Sequence, residues 1–393
     1  MTVIPTLGGE VPLWVLLALA CAAGAVLTWL LTPVAGRIAY VIGAIDQVDA
    51  RRVHTKPTPR LGGLALFTSF ALVTLALYFL APALFAGAGR EFLAIILGAT
   101  IIVVVGIWDD SRGMRPLYKL GAQIVVAVIV FAGGLRLESL TWPFVESGRI
   151  ALGYWGLPIT ILWFAGLMNA LNIIDGLDGL CAGISGISSL VLAAIIAQFD
   201  TSFYAIMPAL TAGLCVGFLF HNYHPAKIFL GDTGSLFLGY MLACTTLTTG
   251  TKSTAILTLV IPLLCIAVPV MDTALAIVRR TRQGRHPFSA DKEHLHHRLL
   301  GLGLSQKRVV WILWFLTAYL GLTAFTLEKA GSPALILANA AFLFAGFIIM
   351  IENVSFLAHR REEEQKEIQA ARESSASEDT TAAQQVLAPT RGT

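Results

Sequence analysis

The stretch Phe92-Leu-Ala-Ile-Ile-Leu-Gly-Ala-Thr-Ile-Ile-Val-Val-Val-Gly-Ile-Trp108-Asp109-Asp110 decides the fold class of this chain. It is an apolar run that ends in two adjacent carboxylates, and about 20 apolar residues cross the hydrocarbon core of a bilayer. Of the 393 residues, 56% are hydrophobic and 13% are charged, whereas soluble domains average about 25% charged residues. The chain is therefore predicted to be an all-α polytopic membrane protein, and an ordinary soluble fold is excluded.

Further apolar segments of similar length bring the prediction to about eleven transmembrane helices. The candidate spans are 11–33, 62–82, 91–108, 118–135, 153–171, 181–198, 204–220, 233–250, 255–278, 309–327 and 333–354. The span at 181–198 is the weakest and could be partly re-entrant. We expect one multi-span domain over residues 1–357, followed at 358–393 by a polar tail with too little apolar surface to fold alone.

The basic residues set the expected orientation, because cytoplasmic loops of membrane proteins are enriched in Lys and Arg. If the loop at 34–61 is cytoplasmic, 22 of the 27 Lys and Arg residues lie on that side. An odd number of spans then places the N-terminus outside and the C-terminus in the cytoplasm.

Six aspartates lie at or near the predicted cytoplasmic ends of spans: Asp109, Asp110, Asp175, Asp178, Asp232 and Asp272. A carboxylate near lipid is costly and persists where it faces water, a partner or a cation. Six at one face predict a site that binds a divalent metal and acts on an anionic compound. The first pair could instead be a solvated loop start, with Arg112 and Arg115 as counter-ions. Asp272 could be a buried counter-ion to the basic loop at 279–308 or part of the carboxylate group.

Polar residues recur at every third position of Asn169-Ala-Leu-Asn172-Ile-Ile-Asp175-Gly-Leu-Asp178-Gly179. In a helix or 3₁₀ turn, residues three apart share a face, so the four polar side chains are predicted to line one wall. A stripe of interhelical hydrogen bonds is the alternative.

The segment Gly231-Asp-Thr-Gly-Ser235 places one carboxylate among glycines and hydroxyls. Such a group suits Mg²⁺, which prefers oxygen ligands and retains waters and substrate phosphates. The same residues could begin a helix with Asp232 or Thr233 as its N-cap, and both interpretations are compatible because a helix N-terminus also favours anions.

Basic and imidazole groups cluster in two predicted cytoplasmic segments. Residues 52–63 include Lys56 and Arg60 with two prolines that stiffen the loop, which predicts a rigid phosphate-binding element. His294-Leu-His296-His297-Arg298 favours anion binding, since a zinc site would need further ligands at fixed spacing. In both segments the alternative is a basic loop that follows the positive-inside bias. Lys119 is a weaker candidate for a phosphate contact.

These motifs together resemble the polyprenyl-phosphate N-acetylhexosamine-1-phosphate transferases (glycosyltransferase family 4), membrane enzymes that start lipid-linked glycan assembly. The resemblance runs from about Arg37 to Arg308. It rests on five blocks in the family's order: His54 to Gly63, Asp109-Asp110, Asn169 to Gly179, Phe229 to Ser235, and His294 to His297. It implies Mg²⁺-dependent transfer, with Mn²⁺ as a possible substitute, of a sugar 1-phosphate from a UDP-N-acetylhexosamine to polyprenyl phosphate. UMP is the second product.

Two blocks resemble the branch of the family that uses UDP-N-acetylglucosamine and undecaprenyl phosphate. They are Pro57-Thr58-Pro59-Arg60 and the His-Leu-His-His block, in which Leu295 replaces the more usual Ile. The peptidoglycan branch, phospho-N-acetylmuramoyl-pentapeptide transferase, usually has Met where Arg60 stands and remains the first alternative. An ion-coupled transporter, the second, would place its acidic residues near the centres of spans rather than at their ends.

The resemblance also implies a role for each candidate residue. It implies catalytic roles for Asp109, Asp110 and Asp232, metal binding by Asp232, Asp175 and Asp110, and substrate binding by Lys56, Arg60, Lys119, Asn169, Asn172, Asp175, Asp178, His294, His296, His297 and Arg298. Within that set, Asp232 is the leading metal ligand. The family further implies a multi-pass protein of the bacterial plasma membrane with a cytoplasmic active site, a possible homodimer and no nucleic-acid partner.

Overall fold

A computed structural model of the chain describes residues 3–47, 57–137, 139–141, 149–252, 260–284 and 294–330, with single positions between 338 and 360. The helices in these ranges are α1 (Leu13–Ile42), α2 (Gly62–Leu80), α3 (Gly89–Arg112), α4 (Pro116–Gly133), α5 (Gly156–Ile174), α6 (Leu180–Ile196), α7 (Phe203–Asn222), α8 (Gly231–Lys252), α9 (Val260–Cys265), α10 (Ala267–Arg282), α11 (Leu295–Gly301) and α12 (Gln306–Ala330). The described residues also contain three short antiparallel strand pairs: β1 (Val3–Thr6) with β2 (Gly9–Pro12), β3 (Ile45–Asp46) with β4 (Thr58–Pro59), and β5 (Ser139–Thr141) with β6 (Arg149–Ala151).

The prediction of an all-α polytopic membrane protein is confirmed. Within the described residues, seven helices are long and apolar enough to cross a membrane, namely α1 to α4, α7, α12 and the segment Gly153–Ile174 that contains α5. The weak span at 181–198 is a shorter apolar helix, Leu180–Ile196. The total of eleven spans and the orientation stay predictions.

One predicted span is broken. The described part of the predicted span at 255–278, from residue 260 on, forms two helices, α9 and α10, with Ile266 between them. Ser188 of α6 supports this break, since its hydroxyl donates a hydrogen bond to the carbonyl oxygen of Cys265. Most of the last predicted span, at 333–354, and all of the tail at 358–393 except residue 360 lie outside the described residues.

Helix α7 lies in the interior of the bundle, and α1 and α4 lie at its perimeter. In α7, 83% of an apolar stretch of 18 residues is buried, against 28% of such a stretch in α1 and 22% in α4. The perimeter helices expose large apolar side chains such as Trp14, Val26 and Leu117, as expected of helices that face lipid tails.

Small residues let α1 and α7 approach at backbone distance, as is common between membrane helices. A Cβ atom added at Gly213 would lie 2.0 Å from the carbonyl oxygen of Cys21. One helical turn later, a Cβ atom at Gly217 would lie 2.1 Å from the carbonyl oxygen of Ala25. Any side chain at either position would force the two helices apart.

The loop before α2 and the loop before α8 are hydrogen-bonded to each other. The backbone N–H of Phe229 donates to the carbonyl oxygen of Pro59 at 2.8 Å, and the N–H groups of Gly62 and Gly63 donate to Phe229 and Leu230 at 3.0 Å. A Cβ atom at Gly106 of α3 would lie 2.4 Å from the Cα atom of Thr233 in α8. The N-termini of α2 and α8 and the C-terminal part of α3 therefore meet at one end of the bundle.

We expect Gly213→Ala to lower the free energy of unfolding by about 1–3 kcal/mol, because overpacking a tight contact forces backbone shifts. The measurement is the midpoint of thermal unfolding of the detergent-solubilised protein. Gly166→Ala in α5 is the matched control, since a Cβ atom there meets nothing within 4 Å. Equal midpoints for the two variants would contradict the close approach of α1 and α7.

Candidate active site

Asp110 is a buried carboxylate that receives four hydrogen bonds. Its Oδ1 accepts the backbone N–H of Asp232 at 2.9 Å and the Nε–H of Arg60 at 3.1 Å. Its Oδ2 accepts the backbone N–H and the hydroxyl of Thr233 at 2.9 and 2.6 Å. Two of the donors are backbone N–H groups of the first turn of α8, which have no partner within the helix. A carboxylate at a helix N-terminus can accept hydrogen bonds from such groups. Asp110 of α3 thus fixes the start of α8.

Glycine is required at the position before Asp232. Gly231 has φ of +72°, and a Cβ atom there would lie 2.5 Å from Oδ2 of Asp110. Any other residue would combine an unfavourable left-handed backbone with a clash.

Arg60 lies among three carboxylates. Besides its bond to Asp110, its guanidinium lies 3.7 Å from Asp46 and 3.6 Å from Asp232. The predicted phosphate-binding arginine is therefore paired with acidic side chains in this structure. Asp46, at the end of β3, carried no recognisable motif signal in the sequence.

Lys119 bridges two carboxylates at the N-terminal turn of α4. Its Nζ lies 2.8 Å from Oδ2 of Asp109 and 2.7 Å from Oδ2 of Asp232. Asp232 consequently lies between two cations, with Arg60 near one oxygen and Lys119 near the other. The acidic cluster is defined here as Asp109, Asp110 and Asp232. Each of these carboxylates forms an ion pair with Arg60 or Lys119.

Two polar residues of α5 bond to side chains of α8 and α4, the helices that carry Asp232 and Lys119. The Nδ2 of Asn172 donates to the hydroxyl of Ser235 at 3.0 Å, and the Nδ2 of Asn169 donates to Oε1 of Gln123 at 2.8 Å. Gln123 was missed by the sequence analysis, although it is a polar residue one helical turn from Lys119 inside an apolar span.

Helix α5 carries only the first two of the four polar residues that were predicted to line one wall. Helix α5 ends at Ile174, so Asp175 and Asp178 lie on the turn that follows. Burial, and next the nearby carboxylates of Asp232 and Asp110, hold the pKa of Asp175 well above its usual value.

Asp178 is directed to a partner that the sequence analysis did not identify. Its Oδ2 accepts hydrogen bonds from Nδ1 of His224 at 2.7 Å and from the backbone N–H of Ala226 at 3.1 Å. This contact joins the turn after α5 to the loop between α7 and α8. The partner could not be found from spacing, because the two segments meet through tertiary packing.

The histidine block divides into buried and exposed members. His294 and His296 are buried, whereas His297 is exposed. A Cβ atom at Gly176 would lie 2.6 Å from Nε2 of His296, so this ring packs directly on the turn after Asp175. Burial, and next the neighbouring His297, lower the pKa of His296 to about 4. His296 is therefore neutral at physiological pH and does not act as a surface cation.

Asp272 of α10 pairs with the histidine block and not with the acidic cluster. Its two oxygens accept Nδ1 of His294 at 3.1 Å and the backbone N–H of Leu295 at 2.9 Å. Arg298 follows on α11 and is partly exposed. Lys56 lies outside the described residues, so its predicted role stays a prediction.

These contacts define a polytopic membrane protein with an ion-paired carboxylate cluster where its helices end. Among the described residues, no group of three or more His, Cys, Asp or Glu side chains is arranged to hold a metal ion by itself.

The chain belongs to the family Glycosyl transferase family 4, which it matches over residues 92–250. It is 39% identical over 304 residues to a probable undecaprenyl-phosphate N-acetylglucosaminyl 1-phosphate transferase of Bacillus subtilis, covering 77% of this chain and 82% of that protein. It is 37% identical to the decaprenyl-phosphate N-acetylglucosaminephosphotransferase of Mycolicibacterium smegmatis, covering 81% and 82%. It is 28% identical to the undecaprenyl-phosphate alpha-N-acetylglucosaminyl 1-phosphate transferase of Salmonella typhi, covering 80% and 86%. The resemblance drawn from the motifs is confirmed.

We expect Thr233→Val to destabilise the protein and Thr233→Ser to preserve most of its stability. The valine keeps the size of the side chain but removes a hydrogen bond to a buried carboxylate, and such bonds contribute about 1.5–3 kcal/mol. The serine keeps that bond and loses one buried methyl group, which costs about 1 kcal/mol.

Thermal unfolding in detergent, followed for both variants and the wild type, checks this order. A valine variant at least as stable as the serine variant would show that the hydroxyl does not support Asp110.

Proposed function

We propose that this protein transfers N-acetylglucosamine 1-phosphate from UDP-N-acetylglucosamine to a polyprenyl phosphate and releases UMP. The observation that carries the proposal is that two carboxylates of the acidic cluster, Asp109 and Asp232, both form ion pairs with Lys119. The names of the relatives in three bacteria support the donor sugar and the lipid acceptor. The active site would face the cytoplasm of a bacterial plasma membrane, where a soluble nucleotide meets a lipid headgroup, and a homodimer is part of the same proposal.

Two of the three carboxylates in the acidic cluster are suited to bind Mg²⁺, and the third is not. The ammonium of Lys119 is a stand-in cation between Asp109 and Asp232, and Mg²⁺ is commonly held by one or two carboxylates together with waters and substrate phosphates. Asp110 is a poor ligand, because its two oxygens already accept four hydrogen bonds. We therefore assign metal binding to Asp232 and Asp109, with Asp175 as a neighbour, and a supporting role to Asp110. When bound, the metal would neutralise charge on the donor diphosphate.

The reaction asks the protein mainly to bring two anions together. An oxygen of the lipid phosphate attacks the phosphorus that carries the sugar, the bond to the bridging oxygen breaks, and that oxygen leaves with UMP. A phosphate monoester has a second pKa near about 6, so the attacking group is largely ionised at neutral pH. Catalysis of phosphoryl transfer depends mostly on positioning and electrostatic stabilisation. Arg60 and Lys119 are the cations beside the cluster that would supply it.

The competing functions differ in what the site must recognise. The muramoyl-pentapeptide transferase would share the chemistry and differ in the donor, so a donor comparison separates the two. An ion-coupled transporter would not require Arg60 and Lys119 to form ion pairs with the acidic cluster. In addition, no transporter is named among the relatives described above.

The decisive experiment is release of UMP by the purified protein in detergent with polyprenyl phosphate and Mg²⁺. We expect release from UDP-N-acetylglucosamine, loss of that release with EDTA, and none from the UDP-muramoyl-pentapeptide. Asp232→Asn is expected to abolish release while the unfolding midpoint stays close to that of the wild type. Release from the muramoyl donor alone would overturn the substrate, and an active Asp232→Asn variant would remove Asp232 from the site.

We expect Lys119→Met to bind Mn²⁺ about fivefold more tightly than the wild type in the absence of substrates. Removing a positive charge close to the two carboxylates relieves a repulsion of about 1 kcal/mol, the value for two unit charges about 4 Å apart when they are screened as in bulk water. The same variant is expected to turn over more slowly, because a cation beside the phosphates is lost.

The affinity is read from free Mn²⁺ in electron paramagnetic resonance titrations. Lys227→Met, which removes an exposed lysine from the loop before α8, is the control and should bind Mn²⁺ as the wild type does. Unchanged affinity in Lys119→Met would show that the metal does not use the oxygens that Lys119 contacts.

A further inference from the structure

Asp272 is a charged side chain buried inside the protein, with 5% of its surface exposed. A buried carboxylate is costly unless donors satisfy it. One oxygen accepts the backbone N–H of Leu295 at 2.9 Å and the other accepts Nδ1 of His294 at 3.1 Å. A residue of α10 thus holds the first residues of the histidine block, at the start of α11.

The histidine block in turn packs against the turn that follows α5. The rings of His294 and His296 are parallel within 6°, with centroids 6.1 Å apart. His296 lies directly on Gly176, which leaves no room for a Cβ atom there. Gly176 follows Asp175, so a series of neighbouring residues leads from Asp272 to Asp175, whose charge interacts with those of Asp232 and Asp110.

The chemistry of the contact determines which nitrogen of His294 carries a proton. A carboxylate can only accept a hydrogen bond from neutral or charged imidazole, so Nδ1 carries the hydrogen. The other ring nitrogen, Nε2, is then the one left for a second partner. Carboxylates that orient histidines in this way fix the ring position and the tautomer.

We propose that Asp272 is a positioning residue for the transferase reaction, which acts through His294. It fixes the tautomer and the ring of His294, so that Nε2 serves the anionic substrate. This inference rests on the proposed function, and it assigns to Asp272 no contact with substrate or metal.

Asp272→Asn tests the proposal because asparagine keeps the shape of the side chain but replaces one acceptor oxygen with an NH₂ group, which is a hydrogen-bond donor. Its carbonyl oxygen still accepts the N–H of Leu295, while its NH₂ group would donate to Nδ1 of His294. The proton of the ring must then move to Nε2. We expect kcat/KM for UDP-N-acetylglucosamine to fall roughly 10–100-fold, as for other carboxylates that orient histidines, with an unfolding midpoint near that of the wild type.

Two further measurements separate positioning from a merely structural role. In protein labelled with [¹⁵N]histidine, the ¹⁵N shifts of His294, assigned by their loss in His294→Gln, should show the reversed tautomer in Asp272→Asn. In a double-mutant cycle, Asp272→Asn should add nothing to the kinetic loss of His294→Gln. Asp200→Asn, at another buried aspartate that lies beside α7, is the control and should retain wild-type kinetics.

An unchanged tautomer, wild-type kinetics in Asp272→Asn, or additive effects in the cycle would each overturn the proposal. The tautomer is read without substrate, so it decides the role of Asp272 independently of the donor. A wild-type protein that releases no UMP from either donor would overturn the proposed function instead.

Discussion

The four hydrogen bonds to Asp110 are the interaction on which the rest of the site depends. A carboxylate removed from water loses several kcal/mol of solvation, and here Arg60 and the first turn of α8 replace that solvation. These hydrogen bonds can form only if α3, α8 and the loop before α2 are correctly placed relative to one another, because each of the three contributes at least one of the bonded groups. The charge of Asp110 therefore ties three segments of the chain, distant in sequence, to one geometry.

The acidic cluster and its two cations are electrostatically interdependent. Asp232 contacts both Arg60 and Lys119, so any cation that approaches Asp232 competes with a side chain that is already present. An anion that attracts Arg60 or Lys119 would in the same step leave the carboxylates free for a metal. Substrate phosphates and a divalent metal would consequently favour each other's binding, through rearrangement of charges that the protein itself supplies. In the absence of both, the ion pairs limit the cost of keeping several carboxylates close together.

The sequence predicted the parts of this structure that depend on local pattern. Apolar runs predicted the helices of the bundle, and the residues around Asp232 predicted a helix start. The expected N-cap was wrong, because α8 begins at Gly231 and both Asp232 and Thr233 lie inside its first turn. Partners that meet through tertiary packing were not predictable, among them Asp46 for Arg60 and His224 for Asp178. The break between α9 and α10 was hidden for a similar reason, since the hydroxyl that accompanies it belongs to α6. The division of the histidine block follows from burial, which adjacent positions in a motif do not reveal.

Glycines connect the packing of the bundle to the chemistry of the site. A Cβ atom at Gly63 would lie 2.1 Å from the backbone nitrogen of Gly234, and one at Gly106 would lie 2.4 Å from Thr233. The backbones of α2, α3 and α8 are thus in contact at the level of Asp232, and close-packed interiors transmit such constraints with little relaxation. A methyl group at these glycines would displace the first turn of α8 and with it the N–H groups that Asp110 accepts. Residues with no side chain are therefore part of the site, because they determine how near the carboxylate of α3 comes to the carboxylate of α8.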